Sequence, residues 1–556
     1  MKKSILTIII CIVFAVASAQ TKPKIEVPLR FDRYYSYEEV VEALQALNKA
    51  YPALTKLEVV GKSEENREIW ALTINNSKTG EALSKPGVYV DGNIHGNEIQ
   101  AGEVCLYFAN LLLTKYGEND KITRVVDKNV HYIIPVVNVD GRVHFFTDGN
   151  TPSSNRTIRV PRDDDRDGLV DEDHSDDLDS DGNICQMRIK DPLGEYKTDP
   201  EDSLLMIPVK PGEKGEWTVL GEEGIDNDGD GRYNEDGPGA MDPNRNWGAN
   251  WQPPYVQNGA GNFPFSGVGL KAIAEWIHQR PNIIVNFFFH NSGGMWLRAP
   301  SSKEEKIDPR DVAVYDIIGK NALKITPGYV YQPAYDLYAT YGDTDSHMWY
   351  IEGTYTFVGE LFQRESETYR ENANKPQTPT ATEELGSFRR GGNPEQNREL
   401  MKFNQHVGLS ELYKPWKPFK HPVYGDIQIG GWAKMSSRLP HPFMLQELVH
   451  RNAMVVLLAS EHTPEISMEV FEVKKLDNNL QQIRVRLKNG KGLPTMTYQA
   501  IAGKIHPQDM LKVSGAKVIA AGRITDLRNN RVTYQEYRPE VVFTSVPSYG
   551  FVEYQF

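Results

Sequence analysis

The stretch 283–289, Ile-Ile-Val-Asn-Phe-Phe-Phe, most narrows what this chain can fold into. A nearly unbroken apolar run of that length belongs to a strand buried on both faces of a mainly parallel sheet. Parallel strands need crossover connections, usually helical, and the rest of the chain supplies the alternation. Val40, Val41, Leu44 and Leu47 recur at helical spacing, residues 57–61 and 69–72 read as strands, and 87–90 as another. Val104, Phe108, Leu111 and Leu112 then share one helical face, and 131–137 is the next strand. Ile273, Ala274 and Ile277 predict a helix before the long apolar run, 355–362 a further strand, and 443–458 a closing helix. The pattern predicts an α/β domain, with a mainly parallel or mixed central sheet and helices on both faces.

Past Pro464 the period changes. Ile466, Met468 and Val470 alternate with polar residues, as do Ile483, Val485 and Leu487, so 464–556 reads as a small all-β sandwich. A chain of 556 residues has room for two or three domains. The beginning reads as an export signal over 1–19: Lys2 and Lys3, an apolar stretch from Ile5 to Val16, then Ala17-Ser18-Ala19 before Gln20. That stretch is too short to span a bilayer comfortably, so the main body, 20–463, is expected to be released into the periplasm or outside the cell. No later stretch is long and apolar enough to insert stably in a membrane, and the net charge of -13 argues against nucleic acid or an anionic membrane as partner. Beyond the signal only Cys105 and Cys185 remain, which excludes a disulfide-rich scaffold and a cysteine-based zinc site; whether they pair is open.

An insertion over 150–241 shows little hydrophobic periodicity but repeats a short pattern three times. Asp163, Asp165 and Asp167 precede Gly168; Asp177, Asp179 and Asp181 precede Gly182; Asp226, Asp228 and Asp230 precede Gly231. Alternating carboxylates before a glycine turn converge on a hard cation, as in calcium loops, although no glutamate closes a twelve-residue loop here. Clustered carboxylates repel one another unless a cation neutralises them, so structural calcium is the expectation.

The chemistry centres on His95-Gly96-Asn97-Glu98, at the end of the strand 87–90. A histidine and a glutamate three residues apart, where strand gives way to helix, can point at one metal. A catalytic zinc needs a third protein ligand and an open position. On its own such a pair is commonplace. With it stand His290 at the end of the long apolar run, Asn138-Val139-Asp140-Gly141, Asn244-Arg245-Asn246-Trp247, Tyr338 four residues before Gly342, and Glu360 within Tyr-Thr-Phe-Val-Gly-Glu-Leu.

In that order these residues resemble the zinc metallocarboxypeptidase family, of the carboxypeptidase A and E type, over about 35–460. The resemblance implies one catalytic zinc held by His95, Glu98 and His290, water as nucleophile and Glu360 as general base. It implies that Asn244, Arg245 and Tyr338 grip the terminal carboxylate of a peptide. Arg188 is the choice for the arginine that polarises the scissile carbonyl, with Arg156 and Arg159 as rivals. Asn97 stands where the digestive members have arginine. Asp343 and Asp345 follow Gly342 in the segment that lines the family's specificity pocket; they either attract a basic side chain, face solvent or cap the next helix at Ser346. Two other functions stay open: a zinc amidohydrolase of the same fold acting on peptidoglycan peptides, and an inactive calcium-stabilised peptide-binding protein.

Overall fold

The computed structural model describes residues 27–151, 153–163, 166–238, 241–362, 394–436, 438–477 and 479–556. The segment 1–19 expected to be an export signal, and Asp165, lie outside them. Helix α1 (Tyr37–Ala50) begins at a capping box, with Ser36 Oγ accepting from the Glu39 N–H and Glu39 Oε2 from the Ser36 N–H. A hairpin of β1 (Thr55–Lys62) and β2 (Glu68–Ile74) follows, then β3 (Gly87–Gly92), α2 (Gln100–Lys115), α3 (Asp120–Lys128), β4 (Val130–Ile134) and α4 (Val139–Thr147). The insertion contributes β5 (Gln186–Lys190), β6 (Tyr196–Thr198), β7 (Met206–Pro208) and β8 (Trp217–Glu222). After it come α5 (Val268–His278), β9 (Ile283–Asn291), β10 (Met295–Arg298), α6 (Pro309–Ile325), β11 (Val330–Pro333), α7 (Thr344–Tyr350) and β12 (Tyr355–Leu361).

The main sheet has the order β1-β2-β4-β3-β9-β12-β10-β11. Its middle, β4-β3-β9-β12, is parallel, and antiparallel pairs flank it on both sides. All nine residues of β9 are buried, which is why its sequence is apolar without alternation. The carboxyl ends of β3, β9 and β12 lie side by side: Gly92 pairs with Phe289, and Glu360 sits directly opposite His290. In open α/β sheets ligands bind outside these ends.

The insertion is more ordered than its sequence suggests. Its strands join β13 (Tyr413–His421) and β14 (Gly425–Trp432), which follow α8 (Pro394–His406), in a second sheet ordered β13-β14-β5-β8-β6-β7. Cys185, Met187, Ile427 and Ile429 form its core. Helix α9 (Pro442–Glu461) then packs on α2 and α6. The C-terminal region holds a five-stranded sheet, β15 (Ile466–Asp477), β16 (Leu480–Asn489), β18 (Gly522–Asp526), β19 (Arg531–Tyr534) and β21 (Phe551–Gln555), and a pair, β17 (Asp509–Lys512) with β20 (Val541–Thr544). Val485, Leu487 and Val552 share one core with Val542 of the pair, and a short helix, α10 (Tyr498–Gly503), is added to the expected β structure. Cys105 and Cys185 are both buried and both free thiols.

Candidate metal centre

The turn between β3 and α2 places His95 and Glu98. Gly96 lies so close to its neighbours that a Cβ there would stand 2.2 Å from the Asn155 carbonyl oxygen and 2.5 Å from the Gly141 backbone, so no side chain fits. Its N–H donates to the Arg156 carbonyl at 3.1 Å, which draws the segment carrying Arg156 to the turn. Behind the turn, Arg142 is fully buried against Glu103 at 2.7 Å and donates to Asn93 Oδ1 at 2.8 Å and to the Ile99 carbonyl at 2.9 Å. The two ends of the His95–Glu98 loop are thereby held to one scaffold.

Three donor atoms converge in front of β9. His95 Nδ1 lies 3.1 Å from Glu98 Oε1, and His290 Nδ1 lies 3.1 Å from both His95 Nδ1 and Glu98 Oε2. Ligands about 2.0–2.1 Å from a tetrahedral zinc stand about 3.3 Å apart, so the spacing fits that ion. The donor set of two imidazoles and a carboxylate is also one zinc accepts. On the far side of His95, Nε2 lies 3.0 Å from Asp242 Oδ1, the outer carboxylate that fixes a ligating histidine's tautomer and ring orientation. All three side chains are buried.

Around this cluster lie the groups of opposite charge. Arg156 Nη1 donates to Glu98 Oε1 at 2.7 Å, and its Nη2 is 3.7 Å from Asp242 Oδ2. Burial alone would lower the Arg156 pKa, but Glu98, Asp242, Tyr338 and Glu360 together raise it. Glu360 is pushed up to about 7, first by burial and then by the Glu98 carboxylate, against His290, Arg156 and Arg438. Asp242 also accepts from the Asn244 N–H at 2.8 Å, while Asn244 Oδ1 accepts from the Thr344 N–H and hydroxyl at 2.9 and 3.0 Å. Arg245 is buried beside it, and its guanidinium carbon stands 6.0 Å from the ring centre of Tyr338, a side chain 43% exposed.

The structure therefore brings together His95, Glu98, His290, Glu360, Asn244, Arg245 and Tyr338. It does not bring Arg188. That residue lies on β5 of the second sheet, with its guanidinium carbon 3.9 Å from the ring centres of both Trp217 and Trp416, and with Nε and Nη2 donating to Gln428 Oε1. Arg159 is turned away too, bonded to Asp148 and Asn155. Arg188, the choice made from the sequence, is thus held outside the centre by indole faces and Gln428, and of the three candidate arginines only Arg156 reaches it. Two residues of the centre stand apart from the motifs in the sequence: Asp242, two residues before Asn244, and Arg438, beyond every motif. Asp343 caps α7, accepting from the Ser346 N–H at 2.8 Å. Asp345 is buried and accepts from Ser301 Oγ at 2.6 Å; burial, then the neighbouring Asp343, pushes its pKa well above the ordinary carboxylate value.

The described acids of the insertion form a separate group. Carboxylate oxygens of Asp173, Asp228 and Glu235 lie within 4.8 Å of one another, as do those of Asp167, Glu172 and Asp228, of Asp226, Asp228 and Asp230, and of Asp177, Asp179 and Glu223. The first and third repeats thus face each other and share Asp228, with an isolated β-bridge from Asp173 to Asp236. Asp173 is fully buried, and its Oδ2 has no hydrogen-bond donor. The second repeat differs: Asp181 and Asp179 face Lys414 and Lys417 of β13 at 3.2 and 3.7 Å. Asp163 accepts from the Gly168 N–H at 3.2 Å.

A family profile described as Zinc carboxypeptidase matches residues 40–182 and 220–360, just over half of the chain, and one described as a domain of unknown function matches 465–542. Rat carboxypeptidase D (Rattus norvegicus) is 36% identical over 110 residues, 20% of this chain and 8% of that protein. Human carboxypeptidase B (Homo sapiens) is 28% identical over 117 residues, 21% of this chain and 27% of its own length. The match thus spans only a small part of these relatives. Among solved structures, carboxypeptidase A from Helicoverpa armigera is 19% identical, covering 60% of this chain and 66% of that one at a TM-score of 0.40. On the profile match, this chain belongs to the zinc carboxypeptidase family.

Proposed function

We propose that this chain is an exported zinc-dependent carboxypeptidase that removes the C-terminal residue of peptides. The observation that carries the proposal is the convergence of His95, Glu98 and His290 at 3.1 Å beside a buried arginine able to take a carboxylate. A zinc ion held by these three would polarise the scissile carbonyl and lower the pKa of water toward about 7. The side chains supply the rest. Glu360, opposite His290, takes a proton from the attacking water and returns it to the leaving amine. Arg156 meets the negative charge that develops on the carbonyl oxygen; losing one such donor typically costs about 10²–10³ in rate.

Arg245 supplies the preference for a chain end, since a guanidinium pairs bidentately with a free carboxylate and an internal peptide bond offers it no charge. Asn244, tied to Thr344, and the exposed Tyr338 complete that pocket. Asp345 lends no support to a basic preference, because its carboxylate is buried and taken up by Ser301 Oγ. Structural calcium in the insertion is part of the proposal, supported by the facing first and third repeats and the buried, undonated Oδ2 of Asp173. Export rests on the basic, apolar and small-residue order of 1–19.

The test uses the full mature chain and an ordinary peptide. Amino acids should be released from the C-terminus, release should stop with a zinc chelator, and added zinc should restore it. Glu360→Gln should retain zinc and lose turnover by several orders of magnitude. Cleavage that survives metal removal, or an active Glu360→Gln protein, would overturn the proposal.

A further inference from the structure

The segment after β14 carries another arginine into the centre. Arg438 lies outside both stretches matched by the family profile. Its Nη2 donates to the Asn291 carbonyl at 2.7 Å and stands 3.6 Å from Glu98 Oε1. Its own carbonyl accepts from Asn291 Nδ2 at 2.9 Å and from Gln100 Nε2 at 3.3 Å. Asn291 directly follows His290, and its N–H donates to Glu98 Oε2 at 3.1 Å. Gln100 opens α2, two residues after Glu98. One residue therefore touches both segments that bear the candidate metal ligands.

The neighbours of Arg438 keep it there. Leu439 packs with Ile99 and Phe145, Tyr34 Oη donates to the Pro440 carbonyl at 2.6 Å, and Lys434 Nζ donates to the Asp148 carbonyl at 3.0 Å. The Arg438 side chain is 23% exposed, yet its Nε is buried and has no acceptor. Leaving a buried donor unmatched is unfavourable, and a group left so asks for an explanation. An arginine recruited only to pack would lie with its charge toward water; this one lies beside a ligand carboxylate.

We infer that Arg438 is a positioning residue of the metal centre, holding the Glu98 carboxylate and the end of β9 in the arrangement that ligation requires. It reaches the ligands through the second sheet's chain, so the accessory layer completes the centre. Outer partners of metal ligands typically contribute about 10–100-fold in metal affinity or activity. The kinetic part of the inference rests on the carboxypeptidase proposal; the zinc-binding part does not.

Two variants of the full chain separate positioning from packing. Arg438→Met keeps most of the stem and removes charge and donors, whereas Arg438→Lys keeps the charge. Zinc affinity is measured by competition with a chromogenic chelator, alongside kcat, KM and Tm. Arg438→Met should lose about 10–100-fold in zinc affinity or kcat, with KM changed by less than about threefold. Arg438→Lys should recover a clear part of the loss. The inference is overturned if Arg438→Met binds zinc and turns over like the unsubstituted chain. It is equally overturned if both variants fall together in step with Tm. An unsubstituted chain that binds zinc but frees no amino acid would refute the proposed function, and the zinc affinities would still decide the role of Arg438.

Discussion

Asp242→Ala is the perturbation whose magnitude can be worked most directly from the structure. The carboxylate is 3.0 Å from His95 Nε2, and its side chain is only 14% exposed, so water screens the contact weakly. Removing a carboxylate that orients a ligating histidine costs about 10–100-fold in metal affinity, or about 1.4–2.8 kcal/mol at about 1.4 kcal/mol per decade. Two further losses push the effect toward the upper end. The Asn244 N–H loses its acceptor at 2.8 Å, and Arg156 loses its second carboxylate neighbour at 3.7 Å. Zinc affinity, measured by chelator competition at neutral pH, should therefore fall by close to 100-fold. Asp242→Asn, which keeps an oxygen for Asn244 and removes the charge, should fall between the two. Asp148→Ala serves as the control, because that acid pairs with Arg159 away from the ligands. Zinc affinity within about threefold of the original in Asp242→Ala, with Asp148→Ala equal to it, would refute an orienting role for the carboxylate.

Three other outcomes follow from the same geometry. Arg245→Ala should lower kcat/KM on peptides with a free C-terminus by at least about tenfold, the lower end for a charged hydrogen bond; an unchanged ratio between free and amidated peptides would end the exopeptidase assignment. Glu360 must be deprotonated to accept a proton, and burial pushes it up to about 7; a dication held by the three ligands would lower that value, so kcat/KM should fall through an acid limb at or below about pH 7, and a limb at higher pH would contradict it. Calcium at about a hundred times its Kd should stabilise the zinc-loaded protein by about 2.7 kcal/mol, read as a rise in Tm that Asp173→Asn reduces; an equal rise in both proteins would remove Asp173 from the site.

What could be read from the chain alone was whatever left a local mark. His290 was legible because β9, buried on both faces, has to be apolar up to that residue, and the polar break marks the strand's end. His95 and Glu98 were legible because three residues of spacing suffice to bring them together. The second sheet was not: β5 to β8 are three to six residues long, too short for a period to show, and β5 pairs with β14, more than two hundred residues later. The choice among arginines failed for a related reason. Arg156 is recruited by one backbone bond from Gly96 to its carbonyl, and nothing in the neighbouring sequence records that contact. Arg188 had the more suggestive surroundings and proved to be stacked between two tryptophans. Asp242 sat in plain view beside Asn244, but its role depends on the face of His95 turned toward it.

The six-stranded sheet is sewn from two pieces of chain that lie on either side of β9 and β12 in the sequence, with β14 and β5 forming the seam. Cutting out 150–241 would therefore not simply shorten the chain. It would strip β14 of its partner and bare a row of amide and carbonyl groups, an open template for sticking to other chains. The two pieces therefore hold their sheet together only as a set.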